Sequence, residues 1–303
     1  MWTAPKVFGL IDPNERKLLL ISLKQLRQQI GVERKTITLD FTETSKLWSD
    51  GTLLFLAELK RLIKITNGDV DILCIQPKVD KVAQAFKQLG LFDLLGINVQ
   101  ITPEDDDVVN WRFACGSQVI GEKYEDILQE YDGNITEILQ TSLYTGITEA
   151  MANVLNHAYK VLKREDGLNA GSIADWWMFS KYQNSCLYVV FCDLGAGIPR
   201  TLPATRRSLW NKIMRKGIKN DGEVIRHAVK DSVSRTKKSH RGKGLGQIVR
   251  VIDDIDGSEV LILSNSGAYT LKSDGVPVCR NYNDSILGTL ILWNIPLEFK
   301  EES

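Results

Sequence analysis

The apolar run Leu187-Tyr188-Val189-Val190-Phe191-Cys192 passes without a break into Asp193-Leu194-Gly195-Ala196-Gly197-Ile198-Pro199. Such a run, bounded by turn residues, reads as a buried strand. A strand ending on an aspartate and two glycines makes a tight turn where backbone can approach a flat ligand closely. The carboxylate there can accept a hydrogen bond from an amino group such as that of adenine. An ordinary strand-to-loop turn has the same look, so the choice rests on what accompanies it.

Two further segments accompany it. Upstream, Glu149, Asn153 and His157-Ala158 recur at a spacing of four within a helical pattern spanning Ile135 to Leu162. That spacing puts a carboxylate, an amide and an imidazole on one stripe of a helix. Ile147, Val154 and Leu155 supply the opposite, apolar side. A solvent-facing polar stripe is the plain alternative. Downstream, Arg241-Gly242-Lys243-Gly244-Leu245-Gly246-Gln247 follows a basic stretch, Ser234 to His240, and precedes a helical run from about Gly246 to Ile255. Alternate glycines make a loop free to bend around an anion, amides at a helix start favour negative charge, and a lysine adds a mobile positive one. The spacing is not that of a Walker A loop.

The remainder alternates strand and helix. Helix is expected from Asp12 to Gly31, from Gly51 to Ile65 and from Lys78 to Leu89. Strand is expected at Thr36 to Phe41, Val70 to Ile75, Trp176 to Ser180, Val260 to Ser264 and Thr289 to Ile295. This pattern predicts an α/β (α+β) protein. The acidic run Pro103 to Asp107 reads as a solvated turn. With 303 residues, two domains are expected, 1–115 and 116–303. Trp176 and Trp177 are assigned to the core.

In order and in context, the three segments together resemble the Bergerat-fold (GHKL, histidine kinase-like) ATPase superfamily of gyrase B, histidine kinases and serine-kinase anti-sigma factors. The likeness covers residues 142–296, including Gly288-Thr289 entering a late strand. The resemblance implies a two-layer α/β sandwich binding ATP with Mg²⁺. It assigns Asn153 to the metal, Asp193 to the adenine amino group, and Gly195, Gly197 and Ile198 to the turn beneath the base. Arg241, Gly242, Lys243, Gly244, Leu245 and Gly246 go to the phosphates, Thr289 beside adenine, and Glu149 to the general base. Arg235, Lys237 and Arg241 are candidates for a lid; Lys237 and Lys238 read more simply as a solvated charge run.

Residues 33–100 resemble STAS domains, the fold of anti-sigma factor antagonists, through Leu39-Asp40-Phe41, Trp48 to Leu53, and Leu89 to Leu95. Those antagonists present a phosphorylatable serine in a D-S loop, whereas the order here is Ser49-Asp50, which argues against such a switch. The implied activity is an ATPase whose nucleotide state controls contact with a protein partner through the N-terminal domain, in a regulatory or defence assembly. A protein-serine kinase and a non-hydrolysing nucleotide sensor stay open, as does a homodimer.

Composition narrows the classes. Lysine plus arginine and aspartate plus glutamate balance at 38 each, so bulk charge gives no reason to expect a nucleic-acid partner. No stretch approaches the roughly 20 apolar residues of a membrane span, and the N-terminus has no leader-like pattern, so a cytoplasmic protein is expected. Cys74, Cys115, Cys186, Cys192 and Cys279 form no metal-binding spacing and are expected reduced, mostly as core filler.

Overall fold

The computed structural model describes residues 1–119, 128, 135–160, 164, 166, 174–236, 244–253 and 255–297. The protein is of mixed α/β class. The chain divides into two compact units, Met1–Phe113 with Phe179–Tyr182, and Ala114–Met178 with Gln183–Ser303.

The first unit runs β1 (Trp2–Thr3), β2 (Val7–Phe8), α1 (Pro13–Leu26), a π-helical segment Arg27–Val32, β3 (Ile37–Asp40), β4 (Lys46–Leu47) and α2 (Ser49–Ile65). It continues with β5 (Ile72–Ile75), α3 (Asp80–Gln88), α4 (Leu91–Leu94) and α5 (Asp106–Val109). Strands β1, β3 and β5 form a parallel sheet in that order, and β2 pairs with β4. Asp12 caps α1 by accepting from Asn14 and Glu15 N–H, with Pro13 at the first helical position, the arrangement that suits both residues. Trp2, Phe8, Phe41, Phe55 and Phe86 form one buried aromatic cluster.

One expectation changes here, and the expectation that Ser49-Asp50 is no phospho-switch is supported. The acidic run is a helix start, not a free turn: Asp105 accepts from Asp107 N–H at 2.9 Å, and Lys81 pairs with both carboxylates. Carboxylates in a first turn complement the helix dipole. The Ser49-Asp50 pair is no presented loop. Ser49 is 5% exposed, and Asp50 accepts from Leu10 N–H at 3.1 Å and Gly51 N–H at 2.7 Å. A Cβ on Gly51 would come within 2.5 Å of the Phe8 carbonyl carbon, which is how closely α2 enters against β2.

The second unit holds all but Arg112–Phe113 and Phe179–Tyr182 of a sheet ordered β11-β10-β9-β12-β8-β7-β6. Its elements are β6 (Arg112–Gly116), α6 (Glu137–Asn153), a π-helical turn Val154–Ala158, β7 (Trp176–Gln183), β8 (Cys186–Asp193), α7 (Ile198–Thr205) and α8 (Arg207–Arg215). After these come α9 (Asp221–Thr236), α10 (Gly244–Arg250), β9 (Glu259–Ser264), β10 (Gly267–Lys272), β11 (Val278–Asn281) and β12 (Thr289–Pro296). Strands β8 to β12 pair antiparallel. Helix α10 is tied to the sheet by Trp293 Nε1 donating to Ile248 O at 2.9 Å. Helix α6 lies against α10, where Gly146 leaves room: a Cβ there would stand 2.5 Å from Val251 Cγ2.

The long helix expected to reach Leu162 ends earlier. Its α-helical part stops at Asn153, the wider π turn closes at Ala158, and residues 161–163 lie outside the described residues. Trp176 and Trp177 are 0% and 3% exposed, in the core as expected. All five cysteines are free, but only Cys192 is buried; the rest are half-buried. Among the described residues, no helix is long and apolar enough to cross a membrane.

Candidate functional site

Strand pairing sets up the site. Asp193 on β8, Thr289 on β12 and Ser264 on β9 stand in one cross-strand row. Directly paired residues point to the same face, so a carboxylate and two hydroxyls line up at the end of an otherwise apolar sheet face. The next row inward is Phe191, Ile291 and Ile262, and the one after is Val189, Trp293 and Val260. Ser264 Oγ and Thr289 Oγ1 are 3.0 Å apart, and Ser264 Oγ also accepts from Ile198 N–H at 2.8 Å.

The turn after β8 is as tight as its sequence requires. Gly195 N–H donates to Asp193 Oδ1 at 2.8 Å, and Ala196 N–H donates to Ala158 O at 2.8 Å, joining the turn to the π segment. A Cβ on Gly195 would sit 2.4 Å from that same Ala158 oxygen. Gly197 has φ +81°, and its missing Cβ would strike the Asn265 side chain, which donates to Ala196 O at 3.0 Å. Gly288 leaves the same kind of space against Asp193 O. Behind the turn, Tyr159 Oη donates to Asp175 O at 2.7 Å and accepts from Leu194 N–H at 3.3 Å, while Arg164 donates to Leu194 O.

These residues close one end of a cavity of about 100 Å³. It is lined by Asn153 and His157, by Phe191 and Asp193, by Ile198, Thr201, Leu202, Thr205 and Arg206 on the α7 side, by Asp231 and Ser232 on α9, and by Gly244, Leu245 and Ile248 on α10. Thr289 and Ile291 complete the sheet wall. Asn153 Nδ2 and His157 Nδ1 are buried with no hydrogen-bond partner among the described residues. A buried donor left so costs about 1–3 kcal/mol, a cost a ligand in the cavity would remove. Gly244 lies beside Asn153: a Cβ there would be 3.3 Å from Asn153 Oδ1. Gly246 N–H donates to Ser232 Oγ at 2.9 Å, fixing the start of α10 on α9.

Electrostatics follow from burial. Asp193 is pushed up to about 7, first by desolvation, against the opposing pull of Gly195 N–H, Thr289 and Arg164. His157 is held below the ordinary imidazole value by burial, then by the charges of Lys160 and Arg206.

Of the residues expected at the site, Asn153, Asp193, Gly197, Ile198, Gly244, Leu245 and Thr289 line the cavity, and His157 joins them. Gly195 shapes the turn below Asp193 and Gly246 anchors the first turn of α10 to Ser232. Glu149 is half-buried one helical turn before Asn153 and is not among the lining residues. Arg241, Gly242 and Lys243 lie outside the described residues, as do Lys237, Lys238 and the side chain of Arg235. Sequence reasoning missed Ser264, Asn265, Tyr159, Arg164, Arg206, Asp231 and Ser232. Only Asn265-Ser266, between two apolar runs, carried a recognisable hairpin signal. No family model and no curated protein matches this chain.

Mg²⁺ binds oxygen and is commonly held by one or two protein oxygens together with waters and substrate phosphates. Asn153 Oδ1 offers one such oxygen. The partnerless Nδ2 of the same amide fits a side chain committed to a ligand rather than to its own fold.

Proposed function

We propose that the second unit binds Mg²⁺-ATP and hydrolyses it, as its likeness to Bergerat-fold ATPases implies. The observation that carries this reading is the cavity's polarity: a buried carboxylate and hydroxyl in register at one end, an apolar strip of Phe191 and Ile291, and the unsatisfied Asn153 amide beside Gly244.

Each part has a role in the reading. Asp193 accepts from Gly195 N–H at Oδ1 and from Thr289, and its two oxygens keep lone pairs that could accept from an amino group. The Thr289 hydroxyl, which bonds Asp193 and Ser264, would have to rotate to donate to a ring nitrogen. That acceptor and donor pair complements the amino group and N1 of adenine. Phe191, Ile291 and Leu202 supply flat apolar surface for the base. Bound Mg²⁺ would neutralise phosphate charge as the terminal phosphoryl group is transferred. Asn153 would orient that charge toward Gly244, and Glu149, one turn earlier, is the candidate base that orients a water. The first unit, similar to a STAS domain, is the proposed contact for a protein partner. Burial of Ser49 speaks against that residue as the substrate of a serine kinase.

The test is calorimetric titration of ATP and a non-hydrolysable analogue into wild type and Asn153→Ala with Mg²⁺, followed by phosphate release. Binding that depends on Asn153, with release, supports the ATPase. Binding without release moves the reading to a kinase or sensor. No binding by folded protein overturns it.

A further inference from the structure

Arg206 stands at the break between α7 and α8, with φ −140° and ψ 55°. Its N–H donates to Leu202 O at 2.8 Å and its carbonyl accepts from Trp210 N–H at 2.9 Å, so the backbone on either side is held. The residue lines the nucleotide cavity together with Thr205 and Leu209. Asp231, one of the lining residues from α9, has Oδ2 at 3.3 Å from Arg206 Nη1. The two side chains are 27% and 24% exposed. A part-exposed pair of this kind contributes only about 0–1 kcal/mol. A guanidinium's planar fork of five donors engages phosphate oxygens two at a time, as it does carboxylate oxygens, so a phosphate can replace Asp231 as its partner. Asn153 lines this same cavity, so the neutral amide assigned to the phosphate end and the arginine share one enclosure.

We infer that Arg206 is an anion-contact residue of this cavity, which takes a phosphate oxygen of the nucleotide in exchange for Asp231, the carboxylate that holds it in the absence of ligand. The inference rests on the ATP reading above and adds a residue outside all three sequence motifs. Asp231 has a double effect in it: it keeps the guanidinium placed, and it competes with phosphate for it.

The test is titration of Mg²⁺-ATP, ADP and adenosine into wild type, Arg206→Gln, Asp231→Asn and the double variant. Arg206→Gln should weaken ATP and ADP about tenfold or more, the scale of a lost charge-assisted hydrogen bond, and leave adenosine within about twofold. Asp231→Asn should tighten ATP about threefold, and that gain should vanish in the Arg206→Gln background. Equal affinities across the series, an adenosine loss as large as the ATP loss, or a gain that persists in the double variant each overturn the inference. Should Arg206→Gln fail to fold, Asp231→Asn decides alone, an unchanged ratio of ATP to adenosine affinity counting against it. Wild type that binds adenosine but not ATP overturns this inference and leaves the base site standing; wild type that binds neither removes the ATP reading itself.

Discussion

Thr289 Oγ1 lies 3.0 Å from Ser264 Oγ, and on its other side Thr289 faces Asp193 across the β8–β12 pair. The two hydroxyls therefore hold the carboxylate's neighbour in place from the strand beyond. Asp193→Ala should weaken ATP at least about tenfold, the cost of a hydrogen bond to a charged group, while leaving inorganic triphosphate nearly unaffected. Thr289→Val should act in the same direction with a smaller loss. Equal losses for ATP and triphosphate, measured by competition titration, would count against Asp193 as a base contact.

The turn below the base makes a steric prediction. At Gly195 an added Cβ would stand 2.4 Å from Ala158 O, an atom already accepting from Ala196 N–H. Gly195→Ala must push the turn off the π segment and should cost about 1–3 kcal/mol, as overpacking does. Gly275→Ala is the control, since its nearest neighbour would be Lys272 Cβ at an ordinary 3.6 Å. Urea denaturation midpoints should fall for the first and stay for the second.

How much of this was readable beforehand varies with what encodes it. Strand β8 and its turn were legible because an unbroken apolar run and two glycines are local signals; β12 and α2 were legible for similar reasons. Strand β11 was not, since Val278, Arg280 and Asn281 are exposed at a sheet edge and show no buried period. Helices α7 to α9 were hidden by Pro199, Pro203 and a high density of basic residues. The switch from α to π at Asn153 changes hydrogen-bond register without changing apolar spacing, so a spacing of four suggested a longer uniform helix. The pairing of Arg206 with Asp231 joins residues 25 apart in sequence and is set by tertiary packing alone. At the site, Asn153, Asp193 and Thr289 were named from the sequence and line one cavity, whereas the neighbouring Ser264, Asn265 and Tyr159 were not named.

Burial also predicts a pH dependence. Desolvation is the first cause raising Asp193 to about 7 and Asp50 to about 6, from 3.8. A carboxyl whose folded pKa is raised binds its proton more tightly when folded, so its stabilising contribution is full below about pH 4 and is lost as pH rises through the folded value. Each unit of difference corresponds to about 1.4 kcal/mol. Wild-type stability should therefore decline between about pH 4 and 7. Asp193→Asn should flatten that decline across the whole window and Asp50→Asn only up to about pH 6. Melting temperatures across this range check both; an Asp193→Asn curve parallel to wild type would contradict the buried ionisable carboxyl.

In the first unit, Glu58 lies 3.1 Å from Arg27 and 3.4 Å from Arg61, with all three side chains buried. Buried ion pairs add little over an apolar replacement, but removing one partner strands the remaining charge at a cost of about 3–5 kcal/mol. Glu58→Gln takes away the negative charge shared by both guanidinium groups and keeps its shape, so it should lower stability by about 1–3 kcal/mol, the scale of lost charge-assisted hydrogen bonds. Replacing Arg27, Glu58 and Arg61 together by Met, Leu and Met should recover most of the loss. Denaturant titration of both variants checks this, and a Glu58→Gln protein as stable as wild type would show that other groups carry the two guanidinium charges.

Glu149 gives the sharpest separation between binding and turnover. It is half-buried on α6 one turn before Asn153 and is not among the residues lining the cavity. If it orients the attacking water, Glu149→Gln removes proton acceptance while preserving size and polarity. Phosphate release should then fall by about 10²–10⁴-fold, the range general-base catalysis supplies, with ATP affinity within about threefold of wild type. Loss of affinity instead would make Glu149 a ligand-positioning residue. Unchanged release would assign the water to another group and leave the cavity's binding role intact.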